Sequence, residues 1–306
     1  MTRRKSGESG EGHTFGGDWT ETKLAILRGY LAAYTKVMKN QAFRTGYIDA
    51  FAGTGYRTLR AANQPTQDSE LLFPDLAAPD PQALLDGSAR LALRIEPLFD
   101  RYIFIEKSED RCRQLEGLRQ EFPSLSNRIR VCPGDANTEI RKLCGMNWGK
   151  NRNRAVLFLD PYGMQVEWTT IEAIARTEAI DLWLLFPLGI GVNRLLPRTG
   201  DVPSAWRSAL DRLLGCEDWY DAFYRVNPIE NLFGEVTNEV QKEGIDAIGK
   251  YFVKRLKTVF PGVAEKPALL YNSANCPLYL FCFAVASKSK RAQGIALDIA
   301  TSLLKG

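Results

Sequence analysis

Four acidic residues stand where apolar runs end: Asp49 after Tyr47-Ile48, Glu106 after Tyr102-Ile103-Phe104-Ile105, Asp135 after Gly134, and Asp160 after Val156-Leu157-Phe158-Leu159. Ligands of open α/β sheets bind outside the carboxyl ends of the strands, so carboxylates there can accept hydrogen bonds from a ligand's hydroxyl and amino groups. Asp49 runs into Phe51-Ala52-Gly53-Thr54-Gly55. Gly53 and Gly55 carry no side chain, which lets the backbone come close to a nucleotide-like ligand. A Gly-x-Gly pair alone is a weak motif, and its weight comes from the acids that follow it. Asp160 continues into Pro161-Tyr162-Gly163. Pro161 fixes the chain where it leaves the strand. The Asp160 carboxylate and the Pro161 carbonyl can accept the N–H bonds of an amine and localise its lone pair, while Tyr162 can stack on a planar ring. Each residue also has a plainer reading. Asp49 could close the glycine turn, Glu106 could be a surface residue beside Lys107, Asp135 and Asp160 could be turn or helix-cap residues, and Tyr162 could be a packing aromatic.

The elements that would hold these residues alternate as in an α/β sheet. Apolar Leu24, Leu27, Leu31, Tyr34 and Met38 recur at helical spacing and predict a helix ending near Asn40. Strand one covers about 46–51. Residues 56–86 are irregular and hold Pro65, Pro74, Pro79 and Pro81; a loop of that length is a lid, a binding loop or a disordered insert. Helices are expected over 89–99, 110–121, 137–144 and 169–177, alternating with strands that end at Glu106, Cys132, Leu159 and Phe186. Residues 193–260 read as an inserted helical region with helices over 205–214, 218–224 and 235–259. Strands over 268–271 and 278–285, joined by a short turn, predict an antiparallel hairpin, and a last helix covers 291–304. The domain reading is a leader over 1–17, disordered by its polar and glycine-rich composition, followed by one domain over 18–306.

Composition excludes several classes. The chain has 306 residues, 45% hydrophobic and 25% charged, with a formal charge of +4, which permits nucleic-acid binding without arguing for it. No apolar stretch is long enough to span a bilayer and the basic start lacks a signal-peptide core, so a cytoplasmic protein without membrane contact is expected. None of the six cysteines is spaced as a zinc site, and no metal is expected. The one histidine, His13, lies in the leader, so histidine triads and histidine-rich metal centres lack their parts.

Taken together, the acid and glycine loop, the acids after strands two and three, Asp160-Pro161-Tyr162 and the closing hairpin resemble the class I S-adenosylmethionine-dependent methyltransferases. More narrowly, Phe51-Ala52-Gly53-Thr54-Gly55, Asp86-Gly87-Ser88, Asp160-Pro161-Tyr162-Gly163 and Gly191-Val192-Asn193-Arg194 resemble the bacterial three-Cys-motif partner proteins. The resemblance implies a Rossmann-like, seven-stranded, mostly parallel sheet with an antiparallel last strand. It implies S-adenosylmethionine as cofactor, with Asp49, Phe51, Gly53, Thr54 and Gly55 at the methionine moiety. Glu106 would lie at the ribose, with Lys107 beside it also binding the cofactor, Asp135 and Ala136 at the adenine, and Asp160, Pro161 and Tyr162 at the methyl-accepting atom, Asp160 touching the cofactor as well. It also implies a companion protein with a three-cysteine motif. The chain departs from the pattern in two places. Glu106 lies about fifty residues beyond the glycines, where roughly twenty is typical. Asp-Pro-Tyr-Gly is closer to the Asp-Pro-Phe-Gly of tRNA guanine-N2 methyltransferases than to the Asp-Pro-Pro-Tyr of amino-methylating DNA enzymes.

The expected activity is methyl transfer to an exocyclic amine of a nucleic-acid base, RNA before DNA. Arg57, Asn193 and Arg194 are candidate substrate contacts. Arg128, Arg130, Arg141, Lys142, Lys150, Arg152 and Arg154 form a basic stretch that is either a phosphate track or a solvated face. Trp148, Trp168, Trp206 and Trp219 are either base-stacking or packing residues. The first rival is a non-catalytic cofactor-binding module that acts with a partner. The second, a nicotinamide-dependent oxidoreductase, is opposed by the missing Gly-x-Gly-x-x-Gly.

Overall fold

The computed structural model describes residues 18–51, 87–230 and 236–305. The expected leader, the glycine-loop residues Gly53, Thr54 and Gly55, Arg57 and the lid-like insert at 56–86 therefore lie outside the described residues.

The chain opens with α1 (Asp18–Met38), β1 (Arg44–Ala50), α2 (Ser88–Leu93), β2 (Arg101–Glu106), α3 (Glu109–Glu121) and β3 (Ile129–Pro133). It continues with α4 (Ala136–Cys144), β4 (Asn153–Leu159), α5 (Trp168–Arg176) and β5 (Ile180–Phe186). Next come α6 (Ser204–Leu214), α7 (Trp219–Phe223), β6 (Tyr224–Glu230), β7 (Val236–Lys242) and α8 (Ile245–Lys257). The last elements are β8 (Gly262–Val263), β9 (Ala268–Tyr271), β10 (Pro277–Val285) and α9 (Lys290–Leu304). The main sheet runs β3-β2-β1-β4-β5-β10-β8, with β9 also on β10. β1 to β5 pair in parallel, and β10 is antiparallel to β5, β8 and β9. This is the expected Rossmann-like fold, mostly parallel and closed by an antiparallel strand. The sheet counts eight strands rather than seven because the outermost one is interrupted, β9 pairing the first part of β10 and β8 its last residues.

A parallel sheet buried on both faces needs apolar residues of both parities. Ile48, Ile105, Leu157 and Leu184 pack on the face covered by α4 to α8. Tyr47, Phe104, Phe158, Trp183 and Phe281 pack on the face covered by α1, α2, α3 and α9. Because side chains alternate at period two, Asp49 follows Tyr47, Glu106 follows Phe104 and Asp160 follows Phe158 onto the α1 face. Asp181 precedes Trp183 there too, at the opposite end of the strands.

Two expectations are corrected. The expected helix over 89–99 stops at Leu93, since Pro97 excludes helical geometry from the residue before it and offers no N–H. The region 193–260 is not purely helical: β6 and β7 form an antiparallel hairpin, and the helix expected over 235–259 is β7 followed by α8.

Candidate functional site

The sheet order reverses between β1 and β4, which lie side by side. Strands on one side of that line continue through β2 and β3, on the other through β5. Such a switch point leaves a crevice at the strands' carboxyl ends. Asp49 pairs with Phe104 on one neighbour and with Phe158 on the other, so Glu106 and Asp160 each lie two residues beyond Asp49's level, on flanking strands.

Asp49 is 1% exposed. The Tyr47 hydroxyl donates to its Oδ2 at 3.0 Å, while Oδ1 is buried with no hydrogen-bond partner among the described residues. Burial pushes its pKa up to about 7; hydrogen bonds from Ser88 and Tyr47 and the Lys23 charge oppose this, and the Asp160 charge adds to it. Glu106 is equally buried, at 1%. Its Oε1 accepts from the Ser108 N–H at 2.7 Å, and Oε2 has no partner among the described residues. Burial raises its pKa, against the Ser108 N–H and the Arg111 charge. An unpaired buried acceptor costs about 1–3 kcal/mol, and each one calls for an explanation. Two of them on adjacent strands suit a ligand that brings hydroxyl or amino donors to this edge. The chain turns out of β1 through Phe51, a buried aromatic at φ 66. That left-handed conformation costs a residue with a Cβ about 1–2 kcal/mol, and such strain gathers at functional turns.

Asp160 is held by a residue the sequence reading missed. Lys23 Nζ on α1 donates to Asp160 Oδ2 at 2.5 Å, with the lysine side chain 2% exposed and the aspartate 20%. The ammonium also lies 5.0 Å from the Trp19 ring centre and 5.9 Å from that of Phe158. A signal for it exists: Lys23 precedes Leu27 by four residues and Tyr30 by seven, so it stands in the buried stripe of α1. Pro161 is buried, and Tyr162 is half-buried. Burial raises the Tyr162 pKa against the nearby Arg194 charge. The chain then turns through Gly163 at φ 66, where glycine is unstrained.

Asp135 serves as the N-cap of α4, its carboxylate accepting from the Thr138 N–H at 2.9 Å. The side chain is exposed, while Ala136 behind it is buried. Asn137, a second residue the sequence reading missed, is 5% exposed. Its Nδ2 donates to the Gln165 carbonyl at 2.9 Å, and its Oδ1 accepts from the Glu167 N–H and the Thr170 hydroxyl, both at 3.0 Å. It thereby ties the start of α4 to the segment after Tyr162. Lys107 is exposed.

Arg194 is exposed on a short turn of 3-10 helix. Lys242 at the end of β7 donates to the Asn193 and Leu196 carbonyls at 2.8 and 2.7 Å, bracketing that turn. Three residues of the basic stretch lie at the sheet edge opposite the crevice. Arg128, Arg152 and Arg154 lie at the amino ends of β3 and β4, where the Arg128 guanidinium donates to the Phe99 carbonyl and Arg152 and Arg154 cover Phe43. Arg141 pairs with Glu167 and Lys142 with Glu139. Trp148, Trp168 and Trp219 are buried packing residues; Trp206 is 38% exposed. Among the described residues no cluster of acids, cysteines or histidines could hold a metal, and no helix is long and apolar enough to cross a membrane.

No protein-family model and no curated protein matches the chain. Solved structures do. Protein LPL1258 from Legionella pneumophila aligns over 94% of each chain at 11% identity and a TM-score of 0.40. A glycopeptide N-methyltransferase, MtfA, in complex with S-adenosyl-L-methionine aligns over 92% of this chain and 99% of its own, at 10% identity and a TM-score of 0.31. The putative methyltransferase yhhF from Escherichia coli aligns over 70% of this chain and 85% of its own, at 14% identity and a TM-score of 0.27.

Proposed function

We propose that this chain is an S-adenosylmethionine-dependent methyltransferase acting on an exocyclic amine of a nucleic-acid base, RNA in preference to DNA. The observation that carries the reading is the pair of unpartnered buried oxygens, Asp49 Oδ1 and Glu106 Oε2, at the carboxyl ends of adjacent strands. Glu106 accepts from the ribose hydroxyls, and Asp49, Phe51 and residues 53–55 hold the methionine moiety. Ala136 and Asp135 border the adenine. Bound there, the cofactor supplies a sulfonium methyl group. The protein's own work is positioning, which is worth up to roughly 7–11 kcal/mol when reacting groups are aligned. Lys23 fixes Asp160 through Oδ2, leaving Oδ1 and the Pro161 carbonyl to accept the amine's N–H bonds and Oδ1 to take the proton the amine sheds. Tyr162 stacks on the base, and Arg194 with Arg57 meets phosphate.

One observation favours a second reading, a non-catalytic module that binds the cofactor and works with a companion protein such as one bearing a three-cysteine motif. The Lys23 ammonium occupies one oxygen of the carboxylate on which the amine would rest. Tritiated methyl transfer onto total RNA, DNA and protein separates the two. The enzyme reading expects label in RNA with the wild type and none with Asp160→Ala, which keeps its affinity for S-adenosylhomocysteine. Stoichiometric cofactor binding with no label in any pool would establish the module instead.

A further inference from the structure

A second concave surface lies between α8 and the 265–269 segment. Its groove encloses about 400 Å³, with an apolar floor of Leu188, Val253, Leu269 and Leu280. Lys250, Lys254 and Lys257 rim it from α8, and Lys266 faces them from the opposite wall. Along the helix the three lysines span about 10 Å at 1.5 Å per residue. Like charges at this spacing destabilise a helix. Only Lys257 has an acidic partner among the described residues, Glu265 at 2.8 Å.

Gly249 adds an independent observation. It lies inside α8 and lines the groove, although glycine within a helix is destabilising relative to alanine. No internal clash requires it: a Cβ there would meet the Leu280 side chain, Cδ2 at 3.6 Å and Cδ1 at 4.0 Å, which are ordinary contacts. The missing side chain leaves the floor open.

We propose that this groove docks an acidic amphipathic helix of a partner protein. Its apolar residues would fill the floor over Gly249, and its carboxylates, repeating on successive turns, would meet Lys250, Lys254 and Lys266. A helix laid in a groove presents its anchors at such spacing, and its carboxylates would balance the lysines that the two lining acids, Asp246 and Glu265, leave in excess. The floor includes Leu188, the first residue of the turn that leads to Asn193 and Arg194, so the partner would sit beside the loop assigned to substrate.

The test is fluorescence anisotropy with a labelled peptide of Glu and Leu, its leucines at i, i+3, i+4 and i+7. The wild type should bind it, with affinity falling between about 50 and 500 mM salt as the screening length shortens. The double variant Lys250→Glu/Lys254→Glu should weaken binding by at least about tenfold, the usual scale for reversing charges in a complementary pair. Gly249→Leu, which fills the floor, should do the same, and Gly249→Ala, which should raise the melting temperature, controls for folding. All variants should keep their affinity for S-adenosylhomocysteine. The proposal is overturned if a scrambled peptide of equal charge binds as tightly, if either variant binds like the wild type, or if a single-stranded oligonucleotide binds the groove more tightly than the peptide.

Discussion

Two aspartates on the same face of the sheet, Asp49 buried and Asp181 half-buried, make an instructive pair. Asp49 sits at the carboxyl end of β1 and Asp181 at the amino end of β5. Burial pushes both pKa values up to about 7. At the amino edge Asp181 keeps partial access to solvent, and the Tyr30 hydroxyl donates to its Oδ2 at 2.6 Å inside a cluster with Trp183 and Phe283. At the carboxyl edge Asp49 keeps one oxygen unpaired, as does Glu106. A perturbed pKa is thus common to both edges and does not single out the site; the unmet acceptors do. A single stripe of α1 serves both edges, Lys23 reaching Asp160 and Tyr30 reaching Asp181. The helix covers about 10 Å between those residues. The strand distance from Asp160 back to Val156, the partner of Asp181, is about 13 Å, so one straight helix spans the gap.

The comparison can be broken most forcefully at Lys23. Removing one member of a buried ion pair costs about 3–5 kcal/mol. Lys23→Met should therefore lower stability in urea by an amount near the bottom of that range, because Asp160 is partly exposed, and Lys23→Met/Asp160→Asn should recover much of it. Equal losses in the single and double variants would show that the pair stabilises nothing.

Titration sharpens the contrast. An acid whose folded pKa is raised favours the protonated fold, so its contribution is full below pH 3.8 and gone once the pH has risen through about 7. Each tenfold change in acid strength is worth about 1.4 kcal/mol, so each aspartate costs on the order of 4 kcal/mol above that window. Asp49→Asn and Asp181→Asn should each flatten the decline in stability between pH 4 and 8, followed by thermal unfolding. Only Asp49→Asn should also abolish S-adenosylhomocysteine binding; equal binding by both variants would erase the functional distinction. At the amino edge, Tyr30→Phe leaves Asp181 without its donor and should cost about 1–3 kcal/mol, with ligand affinity unchanged in calorimetry. The smallest effect belongs to Asp135→Ala, which removes a helix cap and should cost about 1 kcal/mol. If ligand affinity also falls tenfold or more, Asp135 contacts the ligand as well as capping α4.

Legibility in the sequence followed the range over which each signal acts. β1 to β5 and their acids were legible because an apolar run ending in an acid is a local pattern, and period two then places Asp49, Glu106 and Asp160 on one face. The β6–β7 hairpin was not, the single helix expected over 235–259 having run through β7 into α8. Asp135 was legible both as an acid at a strand end and as a helix cap, and the capping bond to the Thr138 N–H is the one the fold shows. Lys23 is 137 residues from Asp160, and only the three-dimensional crossing of α1 over β4 brings them together. Asn137 depends in the same way on the packing of α4 against α5.

The most direct measurement is isothermal titration calorimetry of S-adenosylhomocysteine into the wild type, Asp49→Ala and Glu106→Ala. The account predicts one-to-one binding by the wild type and its loss in both variants, which remain folded. No heat with the wild type, or unchanged affinity once both carboxylates have been removed in turn, would contradict it.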